Sequence, residues 1–434
     1  MGCDKNTADS SGMAGLLVRA GHRIAEDGPA DVVIVNTCGF ILPAKEESIG
    51  AVLSAVAGKT ENPDLKVLAV GCLVQKYLEE LEREIPEVDG FFGVNDPEGI
   101  LAALEEMEKG MKPVHRGPEQ LAGQRALPRV EETVTAYLKI ADGCDTRCTY
   151  CAIPSIKGPY VSRPPDVLME EALSLAAAGV RELILVAQDT TAYGCDLGPE
   201  VTLPGLLRKL LGVEGFRWIR ILYAYPDGIT RDLLELMRDN PRIAAYLDIP
   251  FQHADDGILR TMGRRHTGQD LRNLLKMVRE VLPEVVVRST FITGFPGETD
   301  RQFQVLLDFL EEVRLDWVGA FVYSREDGTP AAGLPGQVPE RVKVNRYNRL
   351  MKLQQDITRE KLGRFRGSTL EVLLEEQQED GLWLGRSAFM APEVDGLVEV
   401  RTGESHRPGD FVPVRITGSG EYDLTGEEIH DHIQ

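Results

Sequence analysis

The sequence predicts an α/β protein in three parts. These are an open parallel α/β sheet over residues 1–110, a partial (β/α)6 barrel over 133–366, and a small five-stranded antiparallel β-barrel over 367–434. Three observations carry this reading. Short β-rich runs alternate with amphipathic helical patterns through the first three quarters of the chain. The alternation breaks at 111–132, where Pro113, Pro118 and Pro128 stand among mixed charges without periodicity, as in a linker. Beyond 367 short alternating strands follow one another, separated by Gly and Pro. A chain of 434 residues leaves room for two or three domains.

In the first block, 31–37, 66–71 and 88–94 read as strands, with helical patterns at 6–20, 43–60, 74–85 and 96–110. Cys38 follows the first strand and Cys72 the second, and Cys3 stands just before the first helix. Each interval is one βα unit. Open α/β sheets bind ligands beyond the carboxyl ends of their strands, so three cysteines distant in sequence are expected on one rim. The other reading is three separate core cysteines, since free Cys buries readily. No strand precedes Cys3 to deliver it, so a start about 5–15 residues earlier, one strand's length, is expected.

In the second block six strands begin near Tyr137, Arg181, Trp218, Tyr246, Val285 and Asp316, with helices such as 166–178 and 268–281 between them. Barrels of this kind carry their chemistry at the carboxyl ends of the strands. The loop after the first strand reads Cys144-Asp-Thr-Arg-Cys148-Thr-Tyr-Cys151. Only seven cysteines occur in the chain, so this spacing is not an accident of composition. Three thiolates and no fourth suit a cubane iron–sulfur cluster with one open iron; zinc prefers four closed ligands, and inert core cysteines are the third reading.

Other strand ends are polar. Gln188 and Asp189 close the second strand, His253 follows the fourth, and Arg288 and Thr290 share one face of the fifth, which runs into Gly294. Polar groups on an apolar strand need partners. Gln188, Arg288, Thr290 and Gly294 are candidate cofactor contacts, and Asp189 and His253 candidate substrate or active-site groups. An internal ion-pair network, a structural histidine, and a helix-entry turn capped by Thr299 or Asp300 are the competing readings. Cys195 stands alone in a Gly-rich loop and is read as neither ligand nor nucleophile. Residues 341–366 form a long charged helix pattern.

The C-terminal block holds fifteen carboxylates against four arginines and no lysine, and the whole chain carries a net charge of −21. A surface that must neutralise phosphates needs the opposite balance, so direct nucleic-acid binding is disfavoured and a basic protein partner fits. A solvated acidic surface without a specific ligand is the plainer alternative. No run of about 18 apolar residues lacks a charge, so no membrane span is expected. The widely spread, odd number of cysteines fits a reducing cytoplasmic setting.

Taken together, Gly2-Cys3-Asp-Lys-Asn with Cys38 and Cys72, the CxxxCxxC loop at 144–151 and the terminal barrel resemble the methylthiotransferase family of radical S-adenosylmethionine (SAM) enzymes over nearly the whole chain. The stretches around Gln188 and around Gln252-His253 resemble the branch that adds a methylthio group to the β-carbon of an aspartate in small-subunit ribosomal protein S-twelve. The resemblance implies two [4Fe-4S] clusters. That on Cys144, Cys148 and Cys151 would bind and cleave SAM to a 5′-deoxyadenosyl radical, and that on Cys3, Cys38 and Cys72 would deliver sulfur. Two SAM are then used per turnover, and an electron donor such as flavodoxin or ferredoxin is needed. It implies a TRAM-like terminal barrel, whose acidity suits docking to basic S-twelve or the small ribosomal subunit. A tRNA methylthiotransferase and a two-cluster electron carrier are the alternatives.

Overall fold

The computed structural model describes residues 2–25, 28–119, 125–130 and 134–429. Its first domain is a four-stranded parallel sheet in sequence order: Val32–Thr37, Lys66–Gly71, Gly90–Phe92 and Val114–His115. Successive side chains leave a strand on opposite faces. Val67, Ala69 and Phe91 therefore pack on one face with Leu73, Leu78 and Leu81. Leu68, Val70 and Phe92 pack on the other with Leu16, Ile100 and Leu104. The expected linker is only partly one: Val114–His115, within it, pairs as the fourth strand, while 120–124 and 131–132 lie outside the described residues. Val32–Thr37 is the outer strand and pairs directly with Lys66–Gly71.

The second domain has six parallel strands in two sheets of three. Thr135–Lys139, Glu182–Val186 and Trp218–Ile221 form one, and Tyr246–Asp248, Val286–Thr293 and Trp317–Val322 the other. A bridge between Ile219 and Ile243 joins them. Helices alternate with the strands, among them Pro165–Ala177, Gly268–Val281 and Asp300–Val313. The outer strand faces and the helices share one large apolar core, including Leu138, Leu185, Ile221, Leu247 and Phe291. Thr267 and Thr299 each begin a helix with a reciprocal capping box.

The third domain is a closed barrel of Thr369–Glu379, Leu382–Ser387, Val398–Arg401, Phe411–Ser419 and Leu424–Glu428. Short alternating strands predict a barrel antiparallel throughout. One seam, Val398–Arg401 with Leu424–Glu428, is parallel. The reason is parity: strand direction cannot alternate around a ring of five.

This barrel closes the amino-terminal end of the six-stranded domain. Tyr137, Ile184, Leu222, Tyr246 and Trp317 from the inner faces and ends of those strands pack with Val372, Trp383, Met390 and Ala391. Glu182 lies between Arg220 at 2.7 Å and Arg386 at 2.6 Å, all three buried. Trp317 Nε1 donates to Phe389 O at 3.0 Å, and the Tyr246 hydroxyl to Asp395 at 2.6 Å.

The first domain covers the opposite, carboxyl end. The Tyr223 hydroxyl donates to Asp4 at 2.7 Å, with Lys5 Nζ 3.2 Å from the centre of its ring. Lys139 pairs with Asp9, and Lys45 with Glu326 at 2.8 Å.

Candidate active site

Each of the six cysteines of interest is placed by a local device. Cys3 is the N-cap of helix Asp4–Arg19, and Cys72 is the first residue of helix Cys72–Glu84, so both sit at the positive end of a helix dipole. The turn that delivers Cys72 requires glycine. Gly71 has φ +102°, and a Cβ there would lie 2.5 Å from Asn36 Oδ1 and 2.6 Å from Thr37 O. Cys38 leaves the end of its strand with its N–H donating to Ser48 Oγ at 2.9 Å, and that hydroxyl returns a bond to Cys38 O. Asn6 ties the Cys3 helix to the same strand end through Thr37 O.

The CxxxCxxC loop is clamped from three sides. Cys144 N donates to Gly158 O, Thr149 N to Met262 O, and Ala331 N to Thr149 O. Gly143, at φ +75°, would meet Pro159 O at 1.9 Å with any side chain. Arg147 inside the loop has φ +48°. A left-handed non-glycine costs of order 1–3 kcal/mol and persists where surrounding contacts impose it.

One member of the first cysteine set lies close to the segment that follows the second. Cys72 packs in one small cluster with Val94, Ile156 and Ala152, and Ala152 is the chain neighbour of Cys151. Buried charge lies beside the junction: Lys157 contacts Asp142 at 3.1 Å and Asp9 at 3.4 Å, and Asp142 also contacts Lys139 at 2.8 Å. Burial opposes the charged form of Asp142, but the two lysines outweigh it and hold the carboxyl below its usual range.

The thiols fit a metal cluster. Burial pushes Cys72 and Cys151 up to about 12, and raises Cys38 and Cys144 as well. Such thiols keep their protons until a metal displaces them. Among the described residues, the three metal-ligating groups with donor atoms all within 4.8 Å of one another are Glu404, His406 and Glu428 on the terminal barrel. The cysteine sets are wider than that. A cluster takes each thiolate on a different iron and fits wide spacing better than one zinc ion does.

The remaining predicted residues divide. Gln188 is near the junction: its Nε2 donates to Asp142 at 3.2 Å, and its Oε1 is buried without a hydrogen-bond partner. Asp189 uses Oδ1 to cap the turn at Thr191 and Ala192, and burial raises its carboxyl. Arg288 goes to Asp248 at 3.1 Å and faces Asp395 of the terminal barrel at 3.4 Å, while Thr290 accepts from Arg288. That is the internal ion-pair reading of both. His253 is fully buried, its Nδ1 accepting from Asp255 N and its Nε2 3.6 Å from Glu298, which is the structural reading. Gly294, at φ +75°, lets the Lys343 side chain pass where a Cβ would be 2.2 Å away, and Thr299 caps the following helix. Cys195 is exposed and apart from both sets.

Sequence reasoning missed Asp142, Lys157 and Arg264. Arg264 is buried, with Nη1 3.8 Å from Cys148 Sγ and its guanidinium 4.3 Å from the centre of the Tyr225 ring. The pair Arg264-Arg265 after an apolar helix is the one sequence signal for it.

Residues 138–310 match the Radical SAM superfamily, residues 1–93 the uncharacterized protein family UPF0004, and residues 367–429 the TRAM domain. The chain is 47% identical over 427 residues to the ribosomal protein uS12 methylthiotransferase RimO of Desulforudis audaxviator, covering 98% of this chain and 94% of that one. It is 48% identical over 432 residues to the protein of the same name from Moorella thermoacetica, covering 98% of each. The radical S-adenosylmethionine methyltransferase TsrM of Kitasatospora setae, solved with cobalamin and a [4Fe-4S] cluster, has a TM-score of 0.50 at 14% identity. That match covers 69% of this chain and 63% of that one, and it is a likeness of fold alone.

Proposed function

The chain belongs to the ribosomal protein uS12 methylthiotransferase family of radical SAM enzymes, and on that premise we propose that its two cysteine sets hold two clusters facing one reaction space. It is an enzyme that transfers a methylthio group to uS12, the ribosomal protein S-twelve, and uses SAM and a [4Fe-4S] cluster. In the proposal, Cys144, Cys148 and Cys151 hold the cluster that binds SAM, and Cys3, Cys38 and Cys72 hold a second that carries the sulfur to the β-carbon of an aspartate. When bound, SAM and a three-thiolate cluster supply one-electron chemistry able to take hydrogen from an unactivated C–H bond, which no side-chain base at neutral pH does. The protein's part is to fix both sets of thiolates, to bring Cys72 against the neighbour of Cys151, and to bury the Asp142–Lys157 pair beside them. The placing of Cys72 in one buried cluster with Ala152 and Ile156 is the observation that supports this reading.

The terminal barrel is proposed to receive the basic substrate. Its segment after Leu382–Ser387 reaches the inner face of the partial barrel, where burial, then Asp4, then Glu393 raise the Tyr137 hydroxyl. Glu393 is exposed and held at φ +65°. Its charge and that of Asp4 both act on the Tyr137 hydroxyl, one from each covering domain. A cationic peptide segment entering there meets opposite charge on both sides.

The experiment is incubation of the reconstituted enzyme with SAM, a low-potential reductant and uS12, followed by intact-mass measurement. The expected result is an addition of about 46 Da, the CH₂S increment, on uS12. Modification of tRNA with uS12 unchanged overturns the reading.

A further inference from the structure

Arg264 is a buried cation without an acidic partner. It is 8% exposed, and among the described residues no carboxylate lies within ion-pair distance of it, whereas the buried Arg163, Arg220, Arg346 and Arg386 each have one. Its Nε has no hydrogen-bond partner at all. Nη2 donates to Pro250 O, Nη1 lies 3.8 Å from Cys148 Sγ, and the group stacks over the Tyr225 ring at 4.3 Å. An unpaired buried charge is costly, by several kcal/mol, unless something nearby carries the opposite sign. Aromatic quadrupole and carbonyl dipole supply part of it. Asp189 is near enough to feel its charge but not to pair with it, and the remaining candidate in contact is the sulfur.

The segment that carries Arg264 is also fastened to the cysteine loop. Thr149 N donates to Met262 O at 2.9 Å, and Gly263 turns at φ +77° with its missing side chain directed 3.3 Å from Arg147 O. The guanidinium therefore moves with the loop that holds Cys148.

We propose that Arg264 raises the reduction potential of the cluster held by Cys144, Cys148 and Cys151 by donating to the Cys148 sulfur. The physical basis is charge. Three thiolates on a [4Fe-4S]²⁺ core give a net charge of −1, and one electron makes it −2. A fixed cation in a low-dielectric site favours the more negative state, and hydrogen bonds to ligating sulfur are an established lever on cluster potential. Arg264 is thus a positioning and tuning residue; it eases delivery of the single electron without touching substrate. The inference rests on the assignment of that cluster to these three cysteines.

The test is a dye-mediated potentiometric titration of the reconstituted enzyme, followed by electron paramagnetic resonance. It is run on wild type, Arg264→Gln and Arg264→Lys, each with iron and sulfide measured. With cluster content unchanged, Arg264→Gln lowers the midpoint by at least the equivalent of a tenfold change in the reduced-to-oxidised ratio, about 59 mV for one electron. Arg264→Lys, which keeps the charge without the planar fork, falls between the two. An unmoved midpoint in Arg264→Gln overturns the proposal, as does a raised KM for uS12 at unaltered potential, which would make Arg264 a substrate contact. If Arg264→Gln fails to assemble the cluster, Tyr225→Leu removes the stacking surface instead. A smaller downward shift is then expected, and no shift refutes the role. A Cys144/Cys148/Cys151→Ala variant that keeps the full iron content instead sinks the ligand assignment, separating the two failures.

Discussion

Glu182 is the keystone between the terminal barrel and the six-stranded domain, and its removal has a calculable cost. The carboxylate has no solvent exposure and sits 2.7 Å from Arg220 and 2.6 Å from Arg386, themselves almost fully buried. Glu182→Ala strands two guanidinium groups, and breaking a buried pair from one side typically costs about 3–5 kcal/mol. Both arginines keep some compensation. Arg386 retains Glu375 at 2.6 Å, and Arg220 retains Ala388 O at 2.9 Å and the Tyr246 ring at 4.8 Å. The lower end, about 3 kcal/mol, is therefore expected. The three tryptophans provide the assay, since all lie at this seam. Trp218 meets Phe411 at 4.8 Å, Trp317 donates to Phe389 O, and Trp383 is buried with the strands' inner residues. With a urea slope of about 2–3 kcal/mol/M, the fluorescence midpoint should fall by about 1 M. A double-mutant cycle with Arg386→Met should show coupling, because the second change removes a charge that the first left unpaired. A midpoint drop below about 0.3 M, or strict additivity within about 0.3 kcal/mol, refutes the argument that the network holds the seam.

Three further outcomes are expected. Gly71→Ala, forced to φ +102° against Asn36 and Thr37, should cost about 1–3 kcal/mol in urea unfolding and lower iron bound by Cys3, Cys38 and Cys72; full iron with wild-type stability contradicts the stated role of that turn. Asp142 titrates below its unfolded value, so its pairing contributes stability that is complete above the ordinary carboxylate range, near 3.9, and is lost as pH falls through the folded value. Asp142→Asn should therefore flatten the acid limb of the stability–pH curve, and an unchanged limb would contradict this. Glu393→Lys should raise the KM for uS12 about fivefold, on the order of 1 kcal/mol, more at low salt than high; a salt-independent KM equal to wild type removes Glu393 from docking.

The strands were legible where a periodic run was long enough to carry a period. The six central strands begin within two residues of their expected starts, and helix Gly268–Val281 has its expected bounds. Val114–His115 was not legible, because two residues after a proline have no period to read. The parallel seam of the barrel was hidden for another reason: alternation marks a strand's buried face but not its neighbour's direction. Cysteine spacing marks out both candidate sets, one by local motif and the other by recurrence at strand ends. The polar residues on the fifth strand were correctly read as needing partners, but the partner of Arg288 includes Asp395 in another domain, which no local pattern reveals. Asp142, Lys157 and Arg264 share that character. Each is defined by contacts distant in the chain: Asp142 by Lys157 and Gln188, Lys157 by Asp9, and Arg264 by Cys148.

The placement of the domains constrains how a macromolecular substrate reaches the cysteines. The terminal barrel packs against the amino-terminal end of the six strands, and the first domain covers their carboxyl end. Both ends of the six-stranded domain are thus covered. Yet Thr135–Lys139 and Trp317–Val322 are the outer strands of their sheets, and among the described residues no ladder joins them. With both ends covered, the proposed reading brings the substrate in laterally, at the seam between those two strands. A free small molecule would need no such slot, whereas one side chain on a protein loop needs an opening wide enough for the backbone on either side of it. The side wall carries Tyr137, which feels Asp4 from the covering domain and Glu393 from the barrel below. On the proposed reading the acidic terminal barrel is then both the floor of the reaction space and one lip of its entrance, so that charge at the end of the chain would select the substrate for chemistry at the cysteines of its beginning and middle.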